Sequence, residues 1–237
     1  MLTSTQDTAA DSRDAPGWYG KLATLGDFAY RRLPSDFVQI GDAWLSRAMS
    51  ASREQLGPDW LDVYLTAPVL RFAWAPGVVD VHWWFGVLMP SCDNVGRYFP
   101  LLIGQQRARP PLDRIALDHL ELWFDHLARA ATHTLAEQAS VEGFEEALRD
   151  APPWPTPGAP AAMTQGPAPG GESFRLGRAH SLNDWLHAMA IHALHERFAG
   201  CSLWWRQAGG GHEATVNVIH GLPDPMGFAQ MLSGDVG

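Results

Sequence analysis

The sequence predicts an α/β domain, and three observations carry that reading. Three β-like runs, Val69–Trp74, Trp83–Met89 and Tyr98–Ile103, follow one another at short spacing with turn signals between them, as in a hairpin or meander. Apolar stripes at helical spacing flank these runs in the chain. A closing segment of about 65 residues, marginal as an independent domain, reads strand, helix, strand, strand, helix and is expected to complete the first sheet.

The elements follow in order. Residues 1–16 are polar and acidic and read as a flexible lead-in. The aromatic run Trp18–Leu22 suits a short strand, and Gly26-Asp27 a turn. Pro34-Ser35-Asp36 opens a helix of about five turns whose stripe is Phe37, Ile40, Trp44, Ala48 and Met49; Gly57-Pro58 stops it. Turn residues at Ala75-Pro76-Gly77 and Ser91–Gly96 separate the three β-like runs. Pro110-Pro111 precedes a long helix over Leu112–Ala139, with Ile115, Leu120, Trp123, Phe124, Leu127, Ala131 and Leu135 as its buried face, and a shorter helix covers Val141–Arg149.

Composition then shifts. Residues 151–171 hold seven Pro and four Gly and cannot pack a core of their own, so they read as an insertion within one domain spanning 17–237. Beyond it, Ser181 with Asp184 resembles a capping box. Trp185, Met189 and Ala193 or His192 continue a helix face. Leu203-Trp204-Trp205 and Thr215–Ile219 are strand-like around a glycine hairpin tip at 209–211. Asp224-Pro225 starts a last helix carrying Phe228, Met231 and Leu232. No internal repeat is visible.

Bulk properties restrict function. Hydrophobic residues make up 46% and charged residues 18%, a globular composition. A formal net charge of -9 repels phosphate backbones and anionic bilayers, which argues against nucleic-acid and membrane partners. Cys92 and Cys201 cannot build a disulfide framework or a four-cysteine zinc site. No signal-peptide pattern opens the chain and no stretch approaches the ~20 apolar residues of a span, so the expected location is the cytoplasm. The eleven Trp point to a large aromatic core, with a weaker case for a partner surface.

Catalytic signatures are missing: no phosphate-binding loop, no dinucleotide fingerprint, no nucleophile elbow and no H-E-x-x-H. No cofactor and no resident metal are expected. His119, His126 and His133 recur every seven residues, roughly 10.5 Å apart along the helix axis. Ligands of one zinc lie ~2 Å from it, so these three cannot share an ion. His192 and His195, beside Glu196, have the spacing of a chelating pair but need further ligands from His187, His212 or His220. Asp27, Asp62, Asp80 and Asp93 are acids without a paired acid at defined distance.

One loop concentrates chemistry: Pro90-Ser91-Cys92-Asp93-Asn94-Val95-Gly96-Arg97-Tyr98-Phe99-Pro100 joins two β-like runs and holds an acid, a base, a hydroxyl and a thiol. Read locally it is either a positioned functional loop or an Asx-type turn in which Arg97 pairs with Asp93 or Asp27. Arg71 interrupts an apolar run, the place for a buried stem or a carboxylate partner.

The same segments carry a resemblance. Gly17-Trp18-Tyr19-Gly20-Lys21-Leu22 with Gly26-Asp27-Phe28, Tyr64–Phe72, and Gly86–Asp93 continuing through Gly96–Leu101 are similar to motifs of the TagF (ImpM) family of bacterial type VI secretion. Ser202–Trp205, and Gly221-Leu222-Pro223 with Phe228, extend the likeness to the end of the chain. Ala23, Leu70 and Cys92 depart from the family pattern, and the last departure argues against an essential thiol. The resemblance implies a three-layer α-β-α sandwich around a mixed, largely antiparallel sheet. It implies a non-catalytic regulator that represses type VI secretion after translation by binding and sequestering a forkhead-associated (Fha) scaffold component, with other type VI components as further partners. Some relatives carry a fused phosphatase domain, for which a chain ending at Gly237 is expected to have no room. The candidate partner-binding residues are Lys21, Asp27, Arg71, Ser91, Asp93 and Arg97. The alternatives are a metal-dependent hydrolase using His192 and His195, and a small-ligand sensor with a pocket near Trp204 and Trp205.

Overall fold

The computed structural model describes residues 15–111, 114–155, 163–168, 171–176, 182–206 and 215–234. Seven strands form one sheet: β1 (Gly17–Gly20), β2 (Ala29–Arg31), β3 (Leu70–Trp74), β4 (Trp83–Met89), β5 (Leu101–Arg107), β8 (Cys201–Arg206) and β9 (Val216–His220). Their order is β2-β1-β5-β4-β3-β8-β9, and every pairing between them is antiparallel. The closing segment does complete the first sheet, since β8 pairs with β3 from Leu70↔Arg206 to Trp74↔Ser202.

Side chains alternate across the pleat, so each strand feeds two cores. Tyr19, Leu70, Phe72, Trp74, Trp84, Leu88, Leu102 and Trp204 face one side. There α1 (Ser35–Leu56), α2 (Trp60–Thr66) and α6 (Pro225–Ser233) cover them with Phe37, Trp44, Tyr64 and Phe228. Trp18, Ala73, Phe85, Val87, Leu101 and Ile103 face the other side, under Trp123, Phe124 and Leu127 of α3 (Arg114–His133) and Phe144 and Leu148 of α4 (Val141–Arg149). Leu194 and Phe198 of α5 (Leu182–Phe198) join this second core at its margin. The molecule is therefore an α-β-α sandwich. Most of the Trp excess lies inside it: Trp44, Trp74 and Trp204 meet at centroid distances of 5.5–6.0 Å.

Close packing fixes the centre. Gly86 opposes Gly104 in the β4–β5 register, and a Cβ on Gly86 would sit 1.9 Å from the Ile103 carbonyl oxygen. Only glycine permits that approach. Helix ends follow local chemistry. The Ser140 hydroxyl caps α4 by accepting from the Gly143 N–H at 3.1 Å, and Asp224 caps α6 through the Gly227 N–H at 2.7 Å.

Some boundaries differ from expectation. The long helix stops at His133, not Ala139, and Leu135 and Ile115 are exposed rather than buried. Thr132 and Thr134 turn their hydroxyls onto the carbonyls of Ala128 and Ala131, and tight three-residue turns replace the helix from there. The third strand starts at Leu101, because Pro100 has no N–H to pair; Tyr98 instead forms an isolated bridge with Cys92. The 3-10 turn Gly57–Asp59 and α2 lay hidden, since seven residues are too few to display a period. The Pro/Gly-rich stretch is not loop throughout: β6 (Met163–Ala168) pairs with β7 (Gly171–Leu176) as a separate hairpin. The lead-in up to residue 14, much of the insertion, Ser181 and the glycine hairpin tip lie outside the described residues.

Candidate functional site

The loop between β4 and β5 is built around Asp93. Its carboxylate is fully buried, yet Oδ2 receives Lys21 Nζ at 2.5 Å and Arg97 Nε at 2.7 Å. Oδ1 accepts the backbone N–H groups of Val95 (3.1 Å) and Arg97 (2.8 Å). Burial alone raises a carboxyl pKa. Here the hydrogen bonds from Lys21 and Arg97 outweigh it and hold Asp93 well below the usual carboxylate range. Gly96 closes the turn at φ 79°, the left-handed region, and its N–H donates to the Asp93 carbonyl at 3.1 Å. The segment is an Asx-type turn in which Arg97 pairs with Asp93.

A chain of contacts ties the loop to the helices. Ser91 donates its hydroxyl to the Lys21 carbonyl at 2.8 Å, and its backbone exchanges hydrogen bonds with the Tyr64 phenol at 2.9 Å. Tyr64 stacks on Trp60 at 5.0 Å, and Trp60 Nε1 donates to Ser52 of α1 at 2.9 Å. Burial raises the Tyr64 phenol above its ordinary pKa, so it stays neutral. Arg97 also donates to the Gly26 carbonyl, and Asn94 N–H to that of Leu25 at 3.0 Å, which binds the β1–β2 turn to the same rim.

The rim opens on a cleft of about 770 Å³ lined by Lys21, Phe28, Arg53, Gly57, Trp60, Leu61, Gly96, Arg97 and Tyr98. Lys21 lies 4.5 Å from the Phe28 ring centre and Arg53 4.3 Å from that of Trp60. Among the described residues the lining contains three cations and no acid. Asp93 neutralises one charge, which leaves a local excess of positive charge on an acidic protein.

Of the six candidate residues, Lys21, Ser91, Asp93 and Arg97 form this one connected cluster. Only Arg97 is open, with 58% of its side chain exposed; Lys21, Ser91 and Asp93 support it from below. Asp27 is exposed on the neighbouring turn, where its carboxylate accepts from the Phe28 N–H at 2.8 Å rather than from Arg97. Arg71 is not brought to the cluster. It sits on the opposite sheet face, buried under α3, where it binds Glu121 at 2.6 Å and Asp125.

Arg53 and Trp60 were missed from sequence. They meet only because α1 ends at Gly57 and the chain turns back, and nothing in a seven-residue separation marks that. Glu145 was missed too. It is buried on α4 and takes Trp18 Nε1 and Arg32 Nη1, each at 2.5 Å.

The remaining candidates disperse. His119 and His133 are exposed, and His126 Nε2 lies 2.6 Å from the Ala147 carbonyl oxygen. His192 faces Glu196 at the surface, 3.3 Å away, while His195 meets the edge of Trp83. Among the described residues no three metal-ligating side chains gather; His212 lies outside them. Trp204 is fully buried in one core and Trp205 packs on Phe124 in the other, so the two do not share a pocket. Burial and the nearby Asp93 raise the Cys92 thiol pKa, which makes it a poor nucleophile. Among the described residues no helix is long and apolar enough to cross a membrane.

Residues 17–151 match a family model described as TagF N-terminal domain, type VI secretion system-associated. The crystal structure of PA0076 from Pseudomonas aeruginosa PAO1 is similar, with a TM-score of 0.70 and 38% sequence identity over 93% of this chain and 94% of that chain. No curated protein matches by sequence.

Proposed function

We infer, from a chain that belongs to the TagF family of type VI secretion system-associated proteins, a non-catalytic negative regulator of secretion. It acts after translation in the cytoplasm, by binding a forkhead-associated scaffold component and keeping it from the secretion machine. The observation that supports this reading is the Asp93 loop. It presents a half-exposed Arg97 on a rim held rigid by Lys21, Ser91 and Tyr64. A rigid rim loses little conformational entropy on docking a protein.

The test is a pull-down of the tagged protein from its native cytosol while the secretion system is expressed, with mass spectrometry of the retained proteins. Recovery of a forkhead-associated type VI component is expected. Arg97→Ala should reduce that recovery while the thermal midpoint falls only modestly, because the buried Asp93 carboxylate keeps Lys21 and the backbone N–H groups of residues 95 and 97. Retention of no secretion component by the wild type would remove this function.

A further inference from the structure

The open cleft beside Arg97 has a wall that the loop does not supply. Arg53, in the last turn of α1, lies 4.3 Å from the Trp60 ring centre, and no carboxylate pairs with it among the described residues. Also lining the cleft, Arg97 shares its one carboxylate partner among the described residues, Asp93, with Lys21. Two cations on one acid leave one charge, and Arg53 adds a second. Asp59 and Asp62 are exposed at the same corner, but neither lines the cleft. The lining also holds Phe28, Tyr98 and the exposed Leu61, with Trp60 buried beneath Arg53 and against Tyr64.

We propose that this cleft is the docking groove for an acidic peptide segment of the partner, whose carboxylates pair with Arg53 and Arg97 while an apolar side chain rests on Leu61 and Tyr98. The occupant follows from charge. The protein as a whole carries -9, so a long polyanion is repelled beyond the cleft, whereas a short acidic segment meets only the local positive excess. Guanidinium groups held by an aromatic face and by a carboxylate are already oriented, which suits them to bidentate pairing with a carboxylate. An open, partly apolar groove accommodates a chain segment better than a lone small ion. The assignment rests on the regulator reading for the partner's identity but not for its chemistry, so the two can fail separately.

The experiment is fluorescence anisotropy with a labelled peptide of alternating Glu and Leu, its Gln-for-Glu counterpart, and a phosphoserine-bearing form of the Gln peptide. The wild type should bind the Glu peptide, less so as salt rises, and should bind the Gln peptide at least about tenfold more weakly. Arg53→Glu should lose about tenfold or more for the Glu peptide, and the neutral Arg53→Gln should fall between. Arg47→Glu, on an exposed site of the same helix outside the cleft, makes the same change in net charge and should retain binding. Thermal midpoints of all three variants show whether each is folded.

Equal binding of the Glu and Gln peptides, no binding of either, binding confined to the phosphoserine peptide, or an equal loss in Arg47→Glu would each overturn the proposal. The pull-down separates the two readings. Retention of the type VI component undiminished in Arg53→Glu overturns the cleft and leaves the regulator standing. Glu-peptide binding by a wild type that retains no type VI component supports the cleft and removes the regulator.

Discussion

Two clusters in this molecule bury charge with opposite stoichiometry. At the loop rim one carboxylate, Asp93, serves two cations, Lys21 and Arg97. Under α3 one cation, Arg71, serves two carboxylates, Glu121 and Asp125. In each cluster the single partner is buried. What differs is which sign reaches water. Glu121 has 60% of its side chain exposed, so the α3 cluster shows surplus negative charge on an already acidic surface. The loop cluster shows surplus positive charge in a cleft lined by no acid among the described residues. The first arrangement anchors a helix; the second anchors a loop and leaves the Arg97 guanidinium in the open.

The sharpest way to break the comparison is to remove the buried single partner on each side. Asp93→Asn strands the buried Lys21 ammonium, which has nowhere to go, and should cost about 3–5 kcal/mol in urea unfolding. That difference should shrink in acid. The folded pKa of Asp93 is depressed, so its contribution is fully present above the unfolded carboxyl value, near ~3.9. It is lost as pH falls from there toward the lower folded value. Wild type and variant should therefore converge below about pH 4, and curves that stay parallel would show that Asp93 is not held as a carboxylate.

Arg71→Met should cost less, about 1.5–3 kcal/mol, because its partners are partly exposed and can return to water. It should also leave retention of the type VI component intact. A loss of partner with an unchanged unfolding midpoint would bring Arg71 into the docking surface after all. The mildest probe is Gly96→Ala. The left-handed backbone strains any Cβ there by about 1 kcal/mol, although no atom stands in its way. Partner retention should fall with it only if the pose of the neighbouring Arg97 matters.

Much of this was legible in the chain. The largely apolar runs at 70–74 and 83–89 predict strands buried on both faces, and the stripe of Phe37, Trp44, Ala48 and Met49 predicts a helix buried on one. The loop from Ser91 to Arg97 could be singled out because its acid, base, glycine and hydroxyl lie within seven residues, close enough for local geometry to join them. The resemblance to the secretion-associated family rested on the same residues, and the family match and the structural neighbour bear it out.

The rest depended on distance along the chain. Lys21 meets Asp93 across 72 residues, Arg71 meets Asp125 across 54, and Trp18 meets Glu145 across 127. No periodicity encodes such pairings; the order of strands and the crossing of helices do. The sequence alone determined which segments alternate, which turn and which must be buried, because those follow from neighbouring residues and a fixed backbone repeat. Only the tertiary structure decided which buried charges share a partner. It placed Arg71 beneath α3 and out of the loop cluster, and Arg53 over Trp60 beside it, because ion pairs in a folded core are chosen by what the packed sheet and helices bring within hydrogen-bonding reach.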